Sequence, residues 1–335
     1  MDRRVRKDNG YVCAFCGFSS ELLDDFEEDY QLHRGYWCPV CEGFNNFNQQ
    51  EISHQFKLIL EKKVNNCRTD ASGSRYRPGL KVQVSPLRWP GGKSRLAGDI
   101  LQMCDTDHML NFIEPFAGGG SVGLSLLMSG NIKELYLNDK DYGIYSLFQV
   151  IKTDPFPLLE LIDNFVPSKE EYRKAQTIVN RKYVGCDLLA AAWNLLITNR
   201  LSFSGIVKAN CMSDPAARWT PKTLRKRILD IHSYSSHIHL SNQDACEFIE
   251  EMYWMPYATL FIDPPYYEKG KQLYSEYYTE EEHEKLAFLL ENLYKGFPGT
   301  DIILTYDDNP YIRNLYQYPT VEVVERKYSI VTHLA

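Results

Sequence analysis

Short apolar runs alternate with helix-like stretches from Pro86 onward, and this alternation constrains the fold more than any other feature of the sequence. The predicted strands are Asn111–Glu114, Glu134–Asn138, His237–Ser241, Thr259–Ile262 and Asp301–Tyr306. The predicted helices are Lys93–Cys104, Ser121–Met128, Asp141–Lys152, Asp244–Tyr253 and Thr279–Lys295. Such alternation is typical of an α/β fold in which helices cover both faces of a parallel sheet. Ligands of these sheets bind beyond the carboxyl ends of the strands.

Changes in composition divide the chain into segments with different predicted structures. A cysteine-containing module comes first, followed by a helix over Gln50–Lys63 and a polar linker. The α/β domain follows in two parts, separated by a mostly helical block that we interpret as an inserted target-recognition domain on its rim. The predicted boundaries, in chain order, are 1–45, 46–84, 85–154, 155–235 and 236–335.

Charge is distributed unevenly along the chain. Residues Ser168–Ser233 carry 12 Lys and Arg against 5 Asp and Glu, a balance of +7 in a chain whose net charge is −7. A basic region on an acidic body suits a surface that binds phosphates, although solvated helix faces would show the same excess. No apolar run approaches the about 20 residues of a membrane span, and Met1–Asn9 lacks the apolar stretch of a secretory signal. We therefore expect a soluble cytoplasmic protein that acts at the nucleoid and has no membrane partner.

A glycine-rich turn, Gly118–Gly120, connects a predicted strand to the helix that follows it. Glycines at this position let a ligand approach the backbone closely. Asp139 ends the next predicted strand, about 20 residues on, where a carboxylate can accept hydrogen bonds from ribose hydroxyls. Because the glycines do not match the dinucleotide fingerprint, the pattern favours S-adenosylmethionine, whose adenosine carries no pyrophosphate. A purely structural turn is the alternative at this position.

The segment Thr259–Tyr266 places Asp-Pro-Pro-Tyr directly after an apolar strand. Two prolines fix the backbone and remove two N–H donors, so the Asp263 carboxylate and the Pro264 carbonyl remain as acceptors. Two acceptors can hold both N–H bonds of an aromatic amine and leave its electron pair free to attack a methyl group. Tyr266 can stack on a base that has left the duplex. The alternative is a proline-stiffened loop without chemistry.

Taken together, these motifs resemble the Dam-type (D12 class, alpha group) adenine-N6 DNA methyltransferases over roughly Pro86–Ile330. The resemblance implies a class I, Rossmann-like methyltransferase fold with a seven-stranded mixed sheet. It also implies that Asp263, Pro264 and Tyr266 are catalytic, and that Asp263 favours adenine over cytosine as the substrate. The cofactor-binding residues that it implies are Trp89, Lys93, Glu114, Phe116, Gly118, Asp139, Asp244 and Asp263.

The inserted block supplies the candidate contacts with duplex DNA. The resemblance extends to Asn199–Asn210, and this match implies roles for Arg200, Lys208 and Asn210 in DNA binding. Independently of any family, Arg218, Lys222, Arg225 and Lys226 lie close together where a loop runs into a helix with Pro221 near its first turn. Phosphate contact is the functional interpretation of this basic cluster, and a solvated helix face is the alternative.

Two Cys-x-x-Cys pairs, Cys13/Cys16 and Cys38/Cys41, have the spacing of a structural zinc site. Four thiolates can close a tetrahedral Zn²⁺ site, which leaves no open position for catalysis. The segment between the pairs is acidic, so it would repel phosphate. Binding of a protein partner or simple stabilisation of the fold is therefore as compatible with the module as a contact with DNA.

Three functions remain open from the sequence. The first is adenine-N6 methylation of duplex DNA after base flipping, with a restriction nuclease as a conceivable partner. The second is the same chemistry on RNA or single-stranded DNA. The third is a non-enzymatic, zinc-containing DNA-binding protein that retains a cofactor fold, against which the intact Asp-Pro-Pro-Tyr segment argues.

Overall fold

The computed structural model describes residues 55–63 and 79–326, apart from 89–92, 94–95, 107–108, 207–208, 268–276 and 297–298, together with parts of residues 6–45. Trp89 and Lys208 lie outside the described residues. Among the described helices, none has both the length and the apolar character needed to cross a lipid bilayer.

The N-terminal module consists of short strands in two antiparallel sheets of three strands each. Cys13 follows the central strand of the first sheet and Cys38 follows the central strand of the second, and both cysteines are buried beside Phe26. This small apolar cluster is stabilised further by Phe18, whose ring meets that of Phe26 edge-on at 5.4 Å. The strands are β1 (Arg6–Lys7), β2 (Gly10–Val12), β3 (Ser19–Ser20), β4 (Glu27–Glu28), β5 (Tyr36–Trp37) and β6 (Phe44–Asn45).

A seven-stranded sheet forms the centre of the molecule, in the order β10-β9-β8-β11-β12-β7-β13. Each of its strand pairings is parallel, so the sheet is parallel and not mixed as the family resemblance implied. The five strands predicted from the sequence are confirmed to within one residue at each end. The strands are β7 (Phe56–Lys63), β8 (Asn111–Glu114), β9 (Glu134–Asn138), β10 (Ile238–Ser241), β11 (Ala258–Ile262), β12 (Asp301–Asp307) and β13 (Thr320–Arg326).

Helices cover both faces of this sheet, as predicted. Successive side chains of a strand point to opposite faces. Accordingly, Ile303 packs into one hydrophobic cluster while Ile302 and Leu304 pack into the other. The helices are α1 (Ala97–Met103), α2 (Ser121–Met128), α3 (Tyr142–Thr153), α4 (Phe156–Asn164), α5 (Lys169–Asn180), α6 (Leu188–Leu201), α7 (Pro221–His232), α8 (Ala245–Met252), α9 (Glu280–Gly296) and α10 (Pro310–Leu315).

The inserted block is helical, as predicted, but its core is continuous with that of the sheet. Leu158 in α4, Leu195 in α6 and Leu224 in α7 belong to the same buried cluster as Leu126 and Ile144, which come from the helices beside the sheet. The block therefore packs as an extension of one face of the α/β domain. This continuity fixes the positions of its loops relative to the sheet edge.

The predicted helix over Gln50–Lys63 is wrong where the structure describes it, because Phe56–Lys63 forms strand β7. This strand lies between β12 and β13 and is parallel to both. Leu58, Ile59 and Leu60 are fully buried, on alternating faces, so the run is apolar because helices cover it on both sides. Such a run cannot be distinguished from a buried helix by its periodicity alone. The segment predicted as a helix and linker therefore contributes one strand to the central sheet.

The position of β7 between two other strands, with both of its faces covered, predicts a large loss of stability on replacing Leu60, which is 0% exposed. Leu60→Ala should lower the free energy of unfolding by about 2–5 kcal/mol, because a buried leucine leaves a cavity. Val323→Ala in β13, where the side chain is 47% exposed, is the control and should cost less than about 1 kcal/mol. Chemical denaturation measures both values, and equal losses would contradict the buried position of β7.

Candidate active site

The glycine-rich turn and the Asp-Pro-Pro-Tyr loop meet at one edge of the sheet. β8 and β11 are neighbouring parallel strands in which Ile113 lies opposite Leu260. The turn after β8 and the loop after β11 therefore begin side by side. A pocket at this edge is lined by residues from three separate stretches of the chain, among them Lys93, Glu114, Phe116, Gly118 and Asp263. Five residues that the sequence analysis assigned to the cofactor site are thus brought together.

Backbone conformation explains the glycines of the turn. Gly118 and Gly120 have φ angles of 49° and 59°, in the left-handed region that favours glycine. Gly120 precedes the first residue of α2, so the turn directs the N-terminal end of this helix towards the pocket. A Cβ atom on Gly119 would lie 2.9 Å from Ser85 Oγ, so a side chain there would collide with the neighbouring loop.

Asp139 is bound to the glycine turn from the adjacent strand end. Its Oδ2 accepts a hydrogen bond from Gly118 N at 2.8 Å, and its Oδ1 accepts one from Asp141 N at 2.9 Å. Each carboxylate oxygen has a second lone pair, so Asp139 retains acceptor capacity for a ligand hydroxyl. The predicted proximity of the acid and the glycine turn is confirmed, while its contact with ribose stays a prediction.

Asn138, at the end of β9, connects two loops at this edge, a role that the sequence analysis missed. Its Nδ2 donates to Pro115 O at 3.0 Å and to Gln243 O at 3.1 Å, and its Oδ1 accepts from Gln243 N at 3.0 Å. The side chain is fully buried, so these bonds are shielded from water. Asn138 therefore holds the turn after β8 and the loop after β10 in register.

Phe116 lies in the pocket, whereas Asp244 lies at the start of α8 and is not among the residues that line this pocket. Asp244 caps α8 by accepting from Cys246 N at 3.0 Å, and its other oxygen lies 3.2 Å from Lys140 Nζ. Partial burial raises the pKa of Asp244, but these two donors outweigh it and hold the pKa below its usual value. The ring of Phe116 lines the pocket and meets Tyr278 edge-on at 5.5 Å.

Glu114 is buried at the end of β8, directly behind the pocket. Its Oε1 accepts from Gly123 N, in the first turn of α2, at 2.6 Å. Burial raises the pKa of Glu114 to about 8, more than the bond from Gly123 lowers it. The carboxyl group is therefore largely protonated at neutral pH in the protein without ligand.

Asp263 is held from its buried side and open to the pocket on the other. Its Oδ1 accepts from Thr305 Oγ1 at 2.7 Å, and Lys93 Nζ lies 2.7 Å from Oδ1 and 2.8 Å from Oδ2. The Asp263 side chain is 24% exposed, whereas that of Lys93 is 4% exposed. Two donors thus fix the orientation of the carboxylate. The sequence analysis did not identify Thr305, because a threonine inside an apolar strand gives no signal of such a contact.

Tyr266 lies beside the same ammonium group. Its hydroxyl accepts from Lys93 Nζ at 2.6 Å, and its ring centroid is 4.7 Å from Nζ. The residue is only 5% exposed, so the ring packs against Lys93 and not towards solvent. Stacking of Tyr266 on a base stays a prediction.

The basic block presents some of its predicted DNA-binding residues and buries another. Arg218, Lys222 and Asn210 are exposed. Arg225 and Lys226 pair with acids on the surface, at 2.6 Å from Asp163 and 2.5 Å from Asp230 respectively. Arg225 and Lys226 are thus engaged with surface acids, although the side chain of Lys226 remains 74% exposed.

Arg200 does not have the surface position that a direct contact with DNA requires. It is 5% exposed, and its guanidinium donates to Arg218 O at 2.9 Å and to Thr220 Oγ1 at 3.2 Å. Burial, together with the nearby guanidinium of Arg88, lowers the pKa of Arg200 to about 10. The predicted contact of Arg200 with DNA is therefore corrected. Its guanidinium group lies inside the protein and holds the loop that carries Arg218 in place.

The four paired cysteines converge on one point of the N-terminal module. Their Sγ atoms all lie within 4.8 Å of one another, with Cys13 to Cys41 at 3.6 Å and Cys16 to Cys38 at 3.7 Å. A tetrahedral zinc site with Zn–S bonds of about 2.3 Å separates its sulfurs by about 3.8 Å. The cysteines are not joined by disulfides. The donor set and its spacing therefore fit a zinc ion.

The parallel seven-stranded sheet, with a ligand-sized pocket beyond the carboxyl ends of β8 and β11, has the fold of a Rossmann-like methyltransferase. Residues 89–330 match the family model described as D12 class N6 adenine-specific DNA methyltransferase. Because this match spans well over half of the chain, the chain belongs to that family.

The chain is also similar to the type II methyltransferase M.MjaIII of Methanocaldococcus jannaschii. The two sequences are 25% identical over 204 residues, which cover 55% of this chain and 70% of the relative. Family membership confirms the resemblance on which the sequence analysis relied.

Burial of Glu114 predicts a pH dependence of stability. Because the folded protein binds this proton more tightly than the unfolded chain does, the protonated carboxyl stabilises the fold below about pH 4.5. This contribution is lost as the pH rises towards about 8. Glu114→Gln retains an oxygen for the Gly123 N–H and should remove this part of the pH dependence. Urea denaturation at several values between about pH 5 and about pH 8 compares the two proteins, and parallel profiles would contradict the assignment.

Proposed function

We propose that the protein transfers a methyl group from S-adenosylmethionine to the N6 atom of adenine in duplex DNA, after the base has flipped out of the helix. The observation that carries this proposal is the position of Asp263. Its carboxylate opens onto a glycine-lined pocket and is oriented from behind by Thr305 and Lys93. Membership of an adenine-specific DNA methyltransferase family supports the same substrate.

The residues around the pocket fit the proposed cofactor. Gly118 and Gly119 line the pocket without side chains, so a ligand can approach the backbone of the turn closely. Asp139 would hold the ribose hydroxyls, and Phe116 and Asp244 would hold the adenine, with Trp89 and Lys93 from the segment before α1. When bound, S-adenosylmethionine supplies an electrophilic methyl group.

Asp263 and the carbonyl of Pro264 would position the reacting amine. Each acceptor takes one N–H bond of the N6 amino group, which favours a pyramidal nitrogen and directs its electron pair away from the two oxygens. Thr305 and Lys93 keep the carboxylate from rotating, so the acceptor is ordered before the substrate arrives. The amine is neutral and needs no strong base before the attack.

The surface of the inserted block would bind the DNA backbone. Arg218 and Lys222 are exposed and lie near the N-terminal end of α7, where they can approach phosphates. The pairing of Arg225 and Lys226 with Asp163 and Asp230 makes these two cations weaker candidates. Because an extrahelical base must reach the pocket, the fold also allows a single-stranded substrate, and the experiment must compare the two.

Asp263→Ala should lower the rate of methyl transfer to adenine by about 10²–10³-fold, because one of the two acceptors for the amine is lost. The dissociation constant of S-adenosylmethionine should change less than about threefold, since the cofactor is held mainly by other residues. Methyl uptake by duplex oligonucleotides, with calorimetry for cofactor binding, measures both effects. Asp308→Ala is the matched control, because Asp308 follows the neighbouring strand and pairs with Arg313 at the surface.

Several outcomes of this experiment would contradict the proposal. Full activity of Asp263→Ala would exclude the role of the carboxylate. A clear preference of the wild-type protein for RNA or single-stranded DNA would replace the duplex substrate. Tight cofactor binding without methylation of any nucleic acid would favour the non-enzymatic DNA-binding function.

We further propose that the N-terminal module holds one structural zinc ion on Cys13, Cys16, Cys38 and Cys41. The purified protein should contain about one zinc per chain, and Cys38→Ser should lose most of it, because three thiolates close the site poorly. Cys211→Ser, which changes an isolated cysteine in the inserted block, should keep the metal. Elemental analysis by mass spectrometry measures the content, and equal zinc in both variants would exclude this site.

A further inference from the structure

A buried carboxylate on β7 faces the ammonium group that binds Asp263. Glu61 has a side-chain exposure of 0%, and its Oε1 lies 3.2 Å from Lys93 Nζ. Strand β7 brings it there, because Glu61 pairs in register with Asp307, two residues beyond Thr305. Glu61 thus reaches the back of the site from a strand that precedes the family match, which begins at residue 89.

A carboxylate in this position is costly unless it has a purpose in the site. Removing an ion from water costs several kcal/mol even after relaxation, and an apolar residue of similar size would suit the surrounding core better. The two residues that precede Glu61 in β7 are apolar and buried, with Leu60 at 0% exposure and Ile59 at 1%. A carboxylate at this position is therefore not explained by packing within the strand, but it is explained by the ion pair with Lys93.

The Lys93 ammonium group is shared among several acceptors. It has three N–H bonds, and it lies within 3.2 Å of the Glu61 carboxylate, both oxygens of Asp263 and the Tyr266 hydroxyl. An ammonium group that bound Asp263 alone would cover the oxygens that the substrate amine needs. The Glu61 carboxylate lies 3.2 Å from the ammonium group, compared with 2.7 Å for Asp263, and this second anion shares the charge of Lys93 and so limits the competition.

We propose that Glu61 is a positioning residue for methyl transfer, which holds the Lys93 ammonium group at the back of the site and so leaves Asp263 able to accept an N–H bond of the substrate amine. This inference rests on the proposed function, since it assigns Asp263 to the amine. Glu61 itself does not touch the substrate. Its effect is transmitted through Lys93.

Glu61→Gln tests this role, because it keeps the shape of the side chain and removes its charge. Single-turnover methylation of a duplex oligonucleotide should slow about tenfold, because the buried ion pair with Lys93 loses one of its charges. The KM values for cofactor and DNA should change less than about twofold, because Glu61 contacts neither. Rates are expressed per cofactor-binding site, so a loss of folded protein does not count as a loss of catalysis. Lys62→Gln is the control, since Lys62 is the exposed neighbour on the same strand and should leave the rate unchanged.

A double-mutant comparison separates positioning through Lys93 from any other effect. In a Lys93→Met background, Glu61→Gln should cause no further loss of rate, because the group that Glu61 positions is gone. If Glu61→Gln alone fails to fold, the double variant still provides the test, because it removes both charges of the ion pair, and its rate per cofactor-binding site should equal that of Lys93→Met. A further tenfold loss in the double variant would show that Glu61 acts independently of Lys93 and would overturn the inference.

The inference and the proposed function fail in different ways. If the wild-type protein methylates adenine and Glu61→Gln does so at the same rate, the role of Glu61 is wrong and the function stands. If Glu61→Gln raises the KM for the cofactor and leaves the single-turnover rate intact, Glu61 serves cofactor binding and the inference is overturned. If the wild-type protein methylates no adenine, the proposed function itself fails.

Discussion

The contact between the Lys93 ammonium group and the Asp263 carboxylate is the interaction on which the geometry of the site depends. It joins the segment before α1 to the loop after β11 through a side chain that is only 4% exposed. In such a shielded place, the energy of a charged hydrogen bond is larger than in water, and so is the cost of leaving either partner unpaired. Thr305 and Glu61 complete the arrangement from β12 and β7. Four separate parts of the chain therefore have to be in place before Asp263 is oriented.

A parallel sheet makes this convergence possible. Because its strands all end at the same edge, the residues that follow β8, β9, β10 and β11 are neighbours in space although they are distant in sequence. Because of this proximity, the buried amide group of Asn138 can donate hydrogen bonds both to the turn after β8 and to the loop after β10. The pocket is thus ordered by hydrogen bonds between loops, and the apolar clusters on the two faces of the sheet hold the strand ends that these loops leave.

Local patterns in the sequence predicted much of the fold and part of the site. The strands over Asn111–Glu114 and Glu134–Asn138 and the helix over Ser121–Met128 are found with the predicted bounds. Each is a compact apolar segment flanked by clear turn residues. β7 was mistaken for a helix, because burial on both faces removes the alternation that marks a strand. Arg200 was assigned to DNA binding through the family resemblance, because nothing in its sequence neighbourhood indicates that the loop carrying Arg218 packs against it.

By itself, the sequence determined the chemistry of the site: an acid locked by two prolines, a glycine turn after a strand, and four cysteines at metal-binding spacing. Each of these features is formed by residues that are close in the chain, so the chemistry that it allows can be inferred without a structure. Only the tertiary structure showed which side chains hold the Asp263 carboxylate in its orientation. Lys93 is 170 residues away from Asp263 along the chain, and Glu61 comes from a strand on the far side of β12. Contacts of this kind are set by how strands are ordered in the sheet, which no local pattern encodes.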